Sequence, residues 1–283
     1  MTQGKKTIQY LLEKKRRREK ITRVVVYDYP MAVLAEAAGI DMINVGDSIG
    51  MVMLGEDTTI HVKLDFLITH AKAVRKGAPN AFIMADMPFL SYQVSIEEAI
   101  RNAGRFIEEA GIDAVKLEGG LNMVETIRSL TAATIPVVAH TGLMPQSAGS
   151  LGGFKTQGRD AESAFKLFKE VQALEKAGAI IIALESIPAE VTKFITENVS
   201  VPIMGVGVGP YCDSPGMNPY DFVGYTIGRV PKFVKRYANV SEIIAAALRQ
   251  YIQEVQTSVY PDEKHSYKMI DGEYDKFLNL IKT

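Results

Sequence analysis

The sequence predicts an α/β fold: a closed (β/α)8 barrel of the TIM type, with an N-terminal helix and a C-terminal helical extension. Three observations predict it. Short β-branched runs alternate with helical patterns along the chain, at least seven times and without a linker. These runs are apolar on both faces, as are the parallel strands of a sheet that helices cover. The length of 283 residues is usual for such a barrel.

The individual elements follow from periodicity. Seven strands are predicted: Arg23–Tyr27, Asp41–Asp47, Ala81–Asp86, Ala114–Glu118, Pro136–His140, Ala179–Glu185 and Pro202–Val206. Apolar residues at helical spacing predict six helices between them: Met31–Ala38, Leu64–Lys76, Ile96–Ala110, Asn122–Ala132, Ala161–Ala177 and Ala189–Glu197. The eighth strand is the least regular element. Its best candidate is Asp221–Tyr225, although Pro215, Gly216 and Pro219 just before it interrupt any clean pattern.

Helices are expected at both ends of the chain. Residues 1–22 contain an N-terminal helix, and its basic run, Lys14–Lys20, is interpreted as a solvated helix end. A phosphate or nucleic-acid patch is the alternative interpretation of that run. Residues 241–283 form a C-terminal helical region that begins with a helix over Ser241–Val255, capped by Ser241. Because no Pro/Gly/Ser-rich boundary interrupts the chain, we expect 1–283 to be a single domain.

Composition limits the partners and the compartment. A net charge of −1 gives no reason to expect nucleic acid or an anionic membrane as a partner. No apolar stretch reaches the ~18–20 residues of a membrane helix, and the N-terminus lacks the apolar core of a signal peptide. The single cysteine, Cys212, cannot form an intrachain disulfide. These features predict a cytoplasmic protein.

Carboxylates end four of the predicted strands: Asp47, Asp86, Glu118 and Glu185. Strand C-termini and their loops form the catalytic face of a barrel, so these acids are expected to converge there with His140. Oxygen ligands without a Cys/His cluster favour Mg²⁺ over Zn²⁺. A lone acid at a strand end is more often a helix cap or loop acceptor, but four on one face favour a metal-dependent enzyme.

Enolate chemistry is the expected activity of such a site. A 2-oxo acid can chelate Mg²⁺, which polarises its carbonyl and acidifies the neighbouring C–H. Lys116 shares a strand face with Glu118; a contact with the substrate and a structural ion pair with Glu118 or Asp86 are both open. Glu185 ends a strongly apolar strand and is the candidate general base. His140 is either a hydrogen-bond donor and proton shuttle or a satisfied core histidine.

Two glycine-rich segments lie on predicted loops. Gly205–Gly209 follows a strand but lacks the spacing of a dinucleotide-binding loop. Close approach of backbone at the barrel mouth is the expected reason for its glycines. Gly152–Arg159, with glycine hinges and two cations, is expected to be a flexible lid.

Many short sequence motifs occur in a specific order from about Tyr10 to Tyr267, over nearly the whole chain. They are Tyr27–Pro30, Val45–Met51, Ala73–Pro79, Ala85–Phe89, Lys116–Gly120, His140–Ser147, Gly152–Gly158, Leu184–Pro188, Pro231–Phe233 and Tyr260–Pro261. Together they resemble the ketopantoate hydroxymethyltransferase (3-methyl-2-oxobutanoate hydroxymethyltransferase) family. The resemblance implies a barrel of the phosphoenolpyruvate/pyruvate superfamily that assembles as a large homo-oligomer, typically a decamer.

The resemblance also implies a reaction and residues to carry it. The reaction is Mg²⁺-dependent transfer of a one-carbon unit from 5,10-methylenetetrahydrofolate to 3-methyl-2-oxobutanoate, giving 2-dehydropantoate for pantothenate and coenzyme A. By matching motif, the metal set is Asp47, Asp86 and Glu118. The 2-oxo acid is held by Asp47, Ser48, Asp86 and Lys116. Glu185 is the base that removes the C3 proton, and His140 remains a possible accessory residue.

One segment, Cys212–Asp221, departs from the family pattern. There the family continues with Cys-Asp-Gly-Gln and an apolar stretch ending in His-Asp, whereas this chain has Ser214-Pro215 and Tyr220 in the corresponding places. The segment's prolines and glycine cannot form a regular helix. We expect this sequence change to alter the shape of the pocket and so the acceptor or donor that the site prefers. The alternatives are an aldolase or lyase of the same superfamily, a hydroxymethyltransferase for another 2-oxo acid, and a non-catalytic paralogue.

Overall fold

Eight parallel strands close into a barrel in the order of the chain. The structure, a computed structural model, describes residues 4–147, 149, 153, 155–228 and 230–282. The strands are β1 Arg23–Val25, β2 Met42–Val45, β3 Phe82–Asp86, β4 Ala114–Glu118, β5 Val137–Gly142, β6 Ile181–Glu185, β7 Ile203–Val206 and β8 Ser214–Met217. Each strand pairs with the next, and β8 pairs with β1. The prediction of a (β/α)8 barrel is confirmed.

In the described residues, helices follow every strand of the barrel except β7, which β8 follows directly. The helices in the described ranges are α1 Ile8–Arg16, α2 Tyr29–Ala37, α3 Ile49–Met53, α4 Leu64–Gly77, α5 Ile96–Ala110, α6 Val124–Ala132, α7 Ala161–Lys176, α8 Ala189–Glu197, α9 Pro219–Phe222, α10 Val240–Gln256 and α11 Glu273–Ile281. The start of α2 shows how the sequence fixes a boundary. The Asp28 side chain accepts a hydrogen bond from the Met31 N–H, and Pro30 stands in the first turn.

The eighth strand lies at Ser214–Met217, and its predicted position at Asp221–Tyr225 is wrong. Asp221 and Phe222 belong to α9, which begins at Pro219, where the fixed φ of proline suits the first helical turn. The strand Ser214–Met217 has no alternation of apolar residues. It forms because β7 and β1 pair with it on its two sides and so close the barrel.

Strand side chains alternate between the helices and the barrel interior. On β3, Ile83 and Ala85 pack in the large core together with residues of the surrounding helices. Phe82 and Met84 belong to a separate buried cluster inside the barrel. Asp86 is the next residue on the inward face of β3. The Asp86 carboxylate therefore lies next to the apolar cluster that contains Phe82 and Met84.

The N-terminal basic run is a helix end, as predicted, but it is not fully solvated. Lys14 pairs with Asp41 at 2.6 Å and Lys15 pairs with Asp213 at 2.8 Å. The side chains of these two lysines are only 16% and 11% exposed, respectively. Asp41 directly precedes β2 and Asp213 directly precedes β8, and their ion pairs hold the two lysine side chains against the barrel.

The backbone divides the chain into two compact units. The barrel unit extends to Phe222 and includes Thr226–Lys235, and the second unit comprises Val223–Tyr225 with the residues from Arg236 onwards. The second unit contains α10 and α11, and α10 is preceded by Asn239 at the cap position rather than by Ser241. The expectation of one domain over 1–283 stays a prediction.

Two further expectations concern a lid and a membrane. Residues 152 and 154 of the predicted lid at 152–159 lie outside the described residues. Among the helices in the described ranges, none is both long enough and apolar enough to cross a bilayer.

Candidate active site

The C-terminal ends of neighbouring strands bring the predicted polar residues together. Asp86, Glu118 and Glu185 are the last residues of β3, β4 and β6. Asp47 follows β2, and His140 lies on β5 next to Glu118 in the strand register. Asp47, Asp86, Glu118 and His140 are all buried, with at most 4% of each residue exposed. Charge buried to this degree needs partners, because removing it from water is costly.

Lys116 forms an ion pair with Asp86. The Nζ atom lies 2.8 Å from Asp86 Oδ2, and the same oxygen accepts a longer hydrogen bond of 3.3 Å from the Asp47 N–H. Burial by itself acts to lower the pKa of Lys116, but the charges of Asp86, Asp47 and Glu118 outweigh it and raise that pKa. Lys116 is therefore a permanent cation. Asp86 Oδ1 is buried without a hydrogen-bond partner among the described residues.

Gln146 connects two of the acids and is absent from the residues that the sequence predicts for the site. Its side-chain Nε2 donates to Asp47 Oδ2 at 2.8 Å, and its backbone N–H donates to Glu118 Oε2 at 2.9 Å. Burial and repulsion from Asp86 raise the pKa of Asp47 to about 8. Gln146 lies in a short 3₁₀ turn, Pro145–Ser147, which carries no periodic signal, and only its place in the motif His140–Ser147 points to it.

His140 lies between Glu118 and the predicted base. Its Nδ1 is 3.5 Å from Glu118 Oε1, and its Nε2 is 3.4 Å from Glu185 Oε2. Burial acts to lower the pKa of His140, but interaction with the nearby carboxylates of Glu118 and Glu185 raises it to about 9. The imidazole is therefore positively charged at neutral pH. The Glu185 side chain is 19% exposed, more than the buried acids, so it faces the open mouth.

The segment that departs from the family pattern contacts Ser48 through Tyr27. The Tyr27 hydroxyl lies 2.8 Å from Ser48 Oγ and accepts a hydrogen bond of 2.9 Å from Asn218 Nδ2. The ring of Tyr220 stacks on Tyr27 with 5.2 Å between centroids, and its hydroxyl donates to Asp28. The altered segment thus helps to orient a residue that is predicted to hold the 2-oxo acid.

Comparison with known proteins identifies the family. Residues 5–263 match the family model described as ketopantoate hydroxymethyltransferase. The chain belongs to this family. It is 50% identical to 3-methyl-2-oxobutanoate hydroxymethyltransferase of Geobacillus sp. (strain WCH70), over 92% of this chain and 93% of that protein. It is 48% identical to the enzyme of the same name from Bacillus subtilis (strain 168), over 93% and 96% of the two chains. The chain is therefore a transferase, and the predicted family is confirmed.

Solved structures support the fold of this ketopantoate hydroxymethyltransferase family member. 2,3-Dimethylmalate lyase, a member of the PEP mutase/isocitrate lyase superfamily, superposes with a TM-score of 0.57 at 17% identity and covers 97% of this chain and 95% of its own. Phosphonopyruvate hydrolase superposes with a TM-score of 0.60 at 14% identity, over 98% of both chains. At these identities the likeness shows the fold alone.

The acids of this hydroxymethyltransferase family member suit a divalent cation. Asp86 Oδ1 lacks a partner among the described residues, and Asp47 lies beside Asp86. No group of three or more His, Cys, Asp or Glu side chains in the described part of the chain is arranged to hold a metal by itself, and the oxygens of Glu118 face Gln146 and His140. Mg²⁺ commonly uses one or two protein carboxylates and leaves its other positions to ligand and water. The set of three metal carboxylates stays a prediction.

Proposed function

We propose that this chain transfers a hydroxymethyl group from 5,10-methylenetetrahydrofolate to 3-methyl-2-oxobutanoate with the help of Mg²⁺, giving 2-dehydropantoate. One observation carries the proposal. The partly exposed Glu185 borders a buried cluster in which one oxygen of Asp86 has no hydrogen-bond partner among the described residues and Lys116 supplies a fixed positive charge. Such a cluster suits an enolate, since it supplies a base beside groups that stabilise negative oxygen.

The metal and the acceptor would lie at the buried end of the site. Asp47 and Asp86 would hold Mg²⁺, and the negative charge of Glu118 would complete the metal set. The bound cation would polarise the keto group and acidify the C3–H bond of the 2-oxo acid. Lys116 Nζ, 2.8 Å from Asp86 Oδ2, would attract the acceptor's carboxylate or the developing enolate oxygen. Ser48 Oγ, oriented by Tyr27, would donate a hydrogen bond to the acceptor.

Proton transfer would fall to Glu185. Its carboxylate would take the C3 proton, and the His140 imidazolium, 3.4 Å away, would hold that carboxylate in place. The C3 carbon would then form a bond to the methylene carbon of the donor, both carbon–nitrogen bonds of that methylene carbon would break, and water would supply the hydroxyl oxygen. The C3 proton and one proton of the water would end on the two donor nitrogens. Phosphonopyruvate hydrolase, which shares the fold at 14% identity, has been solved with oxalate and Mg²⁺. Oxalate is a two-oxygen chelator, as a 2-oxo acid is.

Proton NMR of 3-methyl-2-oxobutanoate in D₂O tests the proposal. With enzyme and Mg²⁺ we expect loss of the C3 proton signal, and with methylenetetrahydrofolate added we expect a hydroxymethyl product. Glu185→Gln should stop the exchange while the 2-oxo acid still binds. Glu197→Gln, at the exposed far end of α8, is the matched control and should exchange normally.

The outcomes of this test separate the alternatives. Exchange without product would indicate an aldolase or lyase that uses another electrophile. Absence of exchange with every 2-oxo acid tried would favour a non-catalytic paralogue. Persistent exchange by Glu185→Gln would assign the base to another residue.

We further propose a cytoplasmic homo-oligomer, with a decamer as the expected assembly. The family resemblance supports this proposal. Analytical ultracentrifugation should then give a mass ten times that of the 31.1-kDa chain, and a monomer at micromolar concentration would contradict it.

A further inference from the structure

Arg23 is a buried cation in the barrel that the proposed chemistry does not use. It is the first residue of β1, and only 4% of it is exposed. Its Nη2 donates to the Gly205 carbonyl at 3.1 Å, whereas its buried Nε has no hydrogen-bond partner among the described residues. Burial lowers the pKa of Arg23 to about 10, with Asp86 and Glu185 acting in the opposite direction. The guanidinium is therefore charged at neutral pH and has donor capacity to spare.

Gly216 makes room for this guanidinium. The two residues are register partners on β1 and β8. A Cβ atom at position 216 would overlap Nη2 and Cζ of Arg23. Gly216 lies within the segment 212–221 that departs from the family pattern. Arg23 on β1 can occupy its position because the residue opposite it on β8 has no side chain.

Arg23 lines a cavity of about 420 Å³ on the β7–β8 side of the barrel. The glycine-rich backbone of 205–209, Gly216 and Lys235 also line it. Gly207 and Gly209 have positive φ values of +64° and +79°, which glycine adopts without strain. The loops after strands seven and eight are a frequent site for anionic groups in (β/α)8 barrels. Arg23 and the glycine-rich backbone thus lie where such a group commonly binds in this fold.

We propose that Arg23 and the glycine backbone of 205–209 form a second binding subsite, which takes a carboxylate of a ligand whose reacting end lies at Asp86 and Glu185. A guanidinium suits this role because its planar donors match a carboxylate. The subsite rests on the proposed function only for the position of the reacting end. Two ligands could supply the carboxylate: a 2-oxo acid with a second acid group, or the acid tail of the folate donor.

The experiment compares wild type with Arg23→Met and Arg23→Lys. Arg23→Met keeps the approximate length of the side chain without its charge, and Arg23→Lys keeps the charge without the fork of donors. Arg16→Met, on the exposed part of α1, is the matched control. Thermal unfolding is measured first; if Arg23→Met does not fold, Arg23→Lys and Gly216→Ala, which displaces the guanidinium, replace it.

Three readouts distinguish the two sources. Binding of glutarate, measured by calorimetry without metal, needs no turnover; we expect Arg23→Met to weaken it about tenfold or more, the usual loss for a charge-assisted hydrogen bond. If the carboxylate belongs to the acceptor, Arg23→Met should slow C3-proton exchange of 2-oxoglutarate to the same degree and leave exchange of 3-methyl-2-oxobutanoate unchanged. A donor carboxylate predicts a KM for methylenetetrahydrofolate that rises about tenfold or more, with the acceptor KM unchanged.

The subsite is overturned if the folded Arg23 variants change none of these quantities by more than about twofold, a difference near thermal energy. Arg23 would then serve only to balance the charges of Asp86 and Glu185. If wild type shows no exchange with any 2-oxo acid, the proposed function fails, and glutarate binding alone decides whether the subsite exists.

Discussion

Replacing Lys116 by Met tests whether this lysine stabilises the buried acids. Its Nζ lies 2.8 Å from Asp86 Oδ2, and the two side chains are only 8% and 4% exposed. Removing one partner of a buried ion pair costs ~3–5 kcal/mol, because the other charge stays buried without compensation. Protonation within the acid cluster relieves part of that cost. We therefore expect Lys116→Met to lower the free energy of unfolding by about 3 kcal/mol near pH 7.

A double-mutant cycle with Asp86→Asn isolates the pair. Urea unfolding of wild type, both single variants and the double variant is followed by circular dichroism in metal-free buffer, so that no bound cation replaces the lysine. Because the Asp86→Asn change leaves no negative charge there for Lys116 to balance, the double variant should recover about 2 kcal/mol relative to the sum of the single losses. A loss below about 1 kcal/mol for Lys116→Met, or strictly additive single losses, would refute the reasoning.

Three further predictions concern the metal, the acceptor and the fold. Asp86→Ala should abolish Mg²⁺-dependent turnover while circular dichroism shows a retained fold, with a lower thermal unfolding midpoint because Lys116 loses its partner; unchanged turnover would contradict the metal role. Tyr27→Phe removes the hydrogen bond to Ser48 and should raise the steady-state KM for the 2-oxo acid about fivefold, whereas an unchanged KM would show that Ser48 needs no orientation. Burial acts to raise the pKa of Asp41, but hydrogen bonds from Lys14 and its other donors outweigh it and lower that pKa. This contribution to stability is present above the unfolded pKa of about 3.9 and is lost as the pH falls through the lower folded value. Urea unfolding from pH 3 to 7 should therefore show Asp41→Asn less stable than wild type at pH 7, with a difference that shrinks below about pH 4; a constant difference would contradict this.

The strands that end in acids are predictable because two signals coincide in them. The run Ala114–Glu118 is apolar on its outward face and ends before two glycines, and the structure has β4 at the same residues. The barrel topology then brings consecutive strand ends to one face. Asp86 and Glu118 can therefore be expected near each other without knowledge of any distance.

The eighth strand could not be predicted because its conformation comes from its neighbours. Ser214–Met217 has neither β-branched residues nor a repeating pattern, and Pro215 lacks an N–H donor. Pairing with β7 and β1 stabilises the extended conformation that the local sequence does not favour. The run Asp221–Tyr225 is misleading because its apolar residues suggest a strand, whereas its first two residues belong to the helix that begins at Pro219.

Gln146 and Arg23 escape prediction for a different reason. The role of Gln146 depends on two hydrogen bonds to acids far away in the chain, at Asp47 and Glu118. The burial of Arg23 depends on a glycine almost two hundred residues later. Neither residue type marks a site by itself, since each acts through partners that only the closed barrel brings within reach.

The altered segment 212–221 contacts the residues proposed to bind ligand rather than the acid cluster. Asn218 and Tyr220 contact Tyr27, which in turn contacts Ser48. Gly216 gives space to the guanidinium of β1. Both sets of contacts lie on the β1–β8 side of the proposed ligand positions, whereas Lys116, Asp86 and the other acids lie on or directly after β2 to β6. Under the proposed function, a change in this segment should therefore alter which ligand binds, while the groups proposed to form the enolate keep their positions. The acceptor panel with Arg23→Met is accordingly more informative about this chain than any further substitution among the acids.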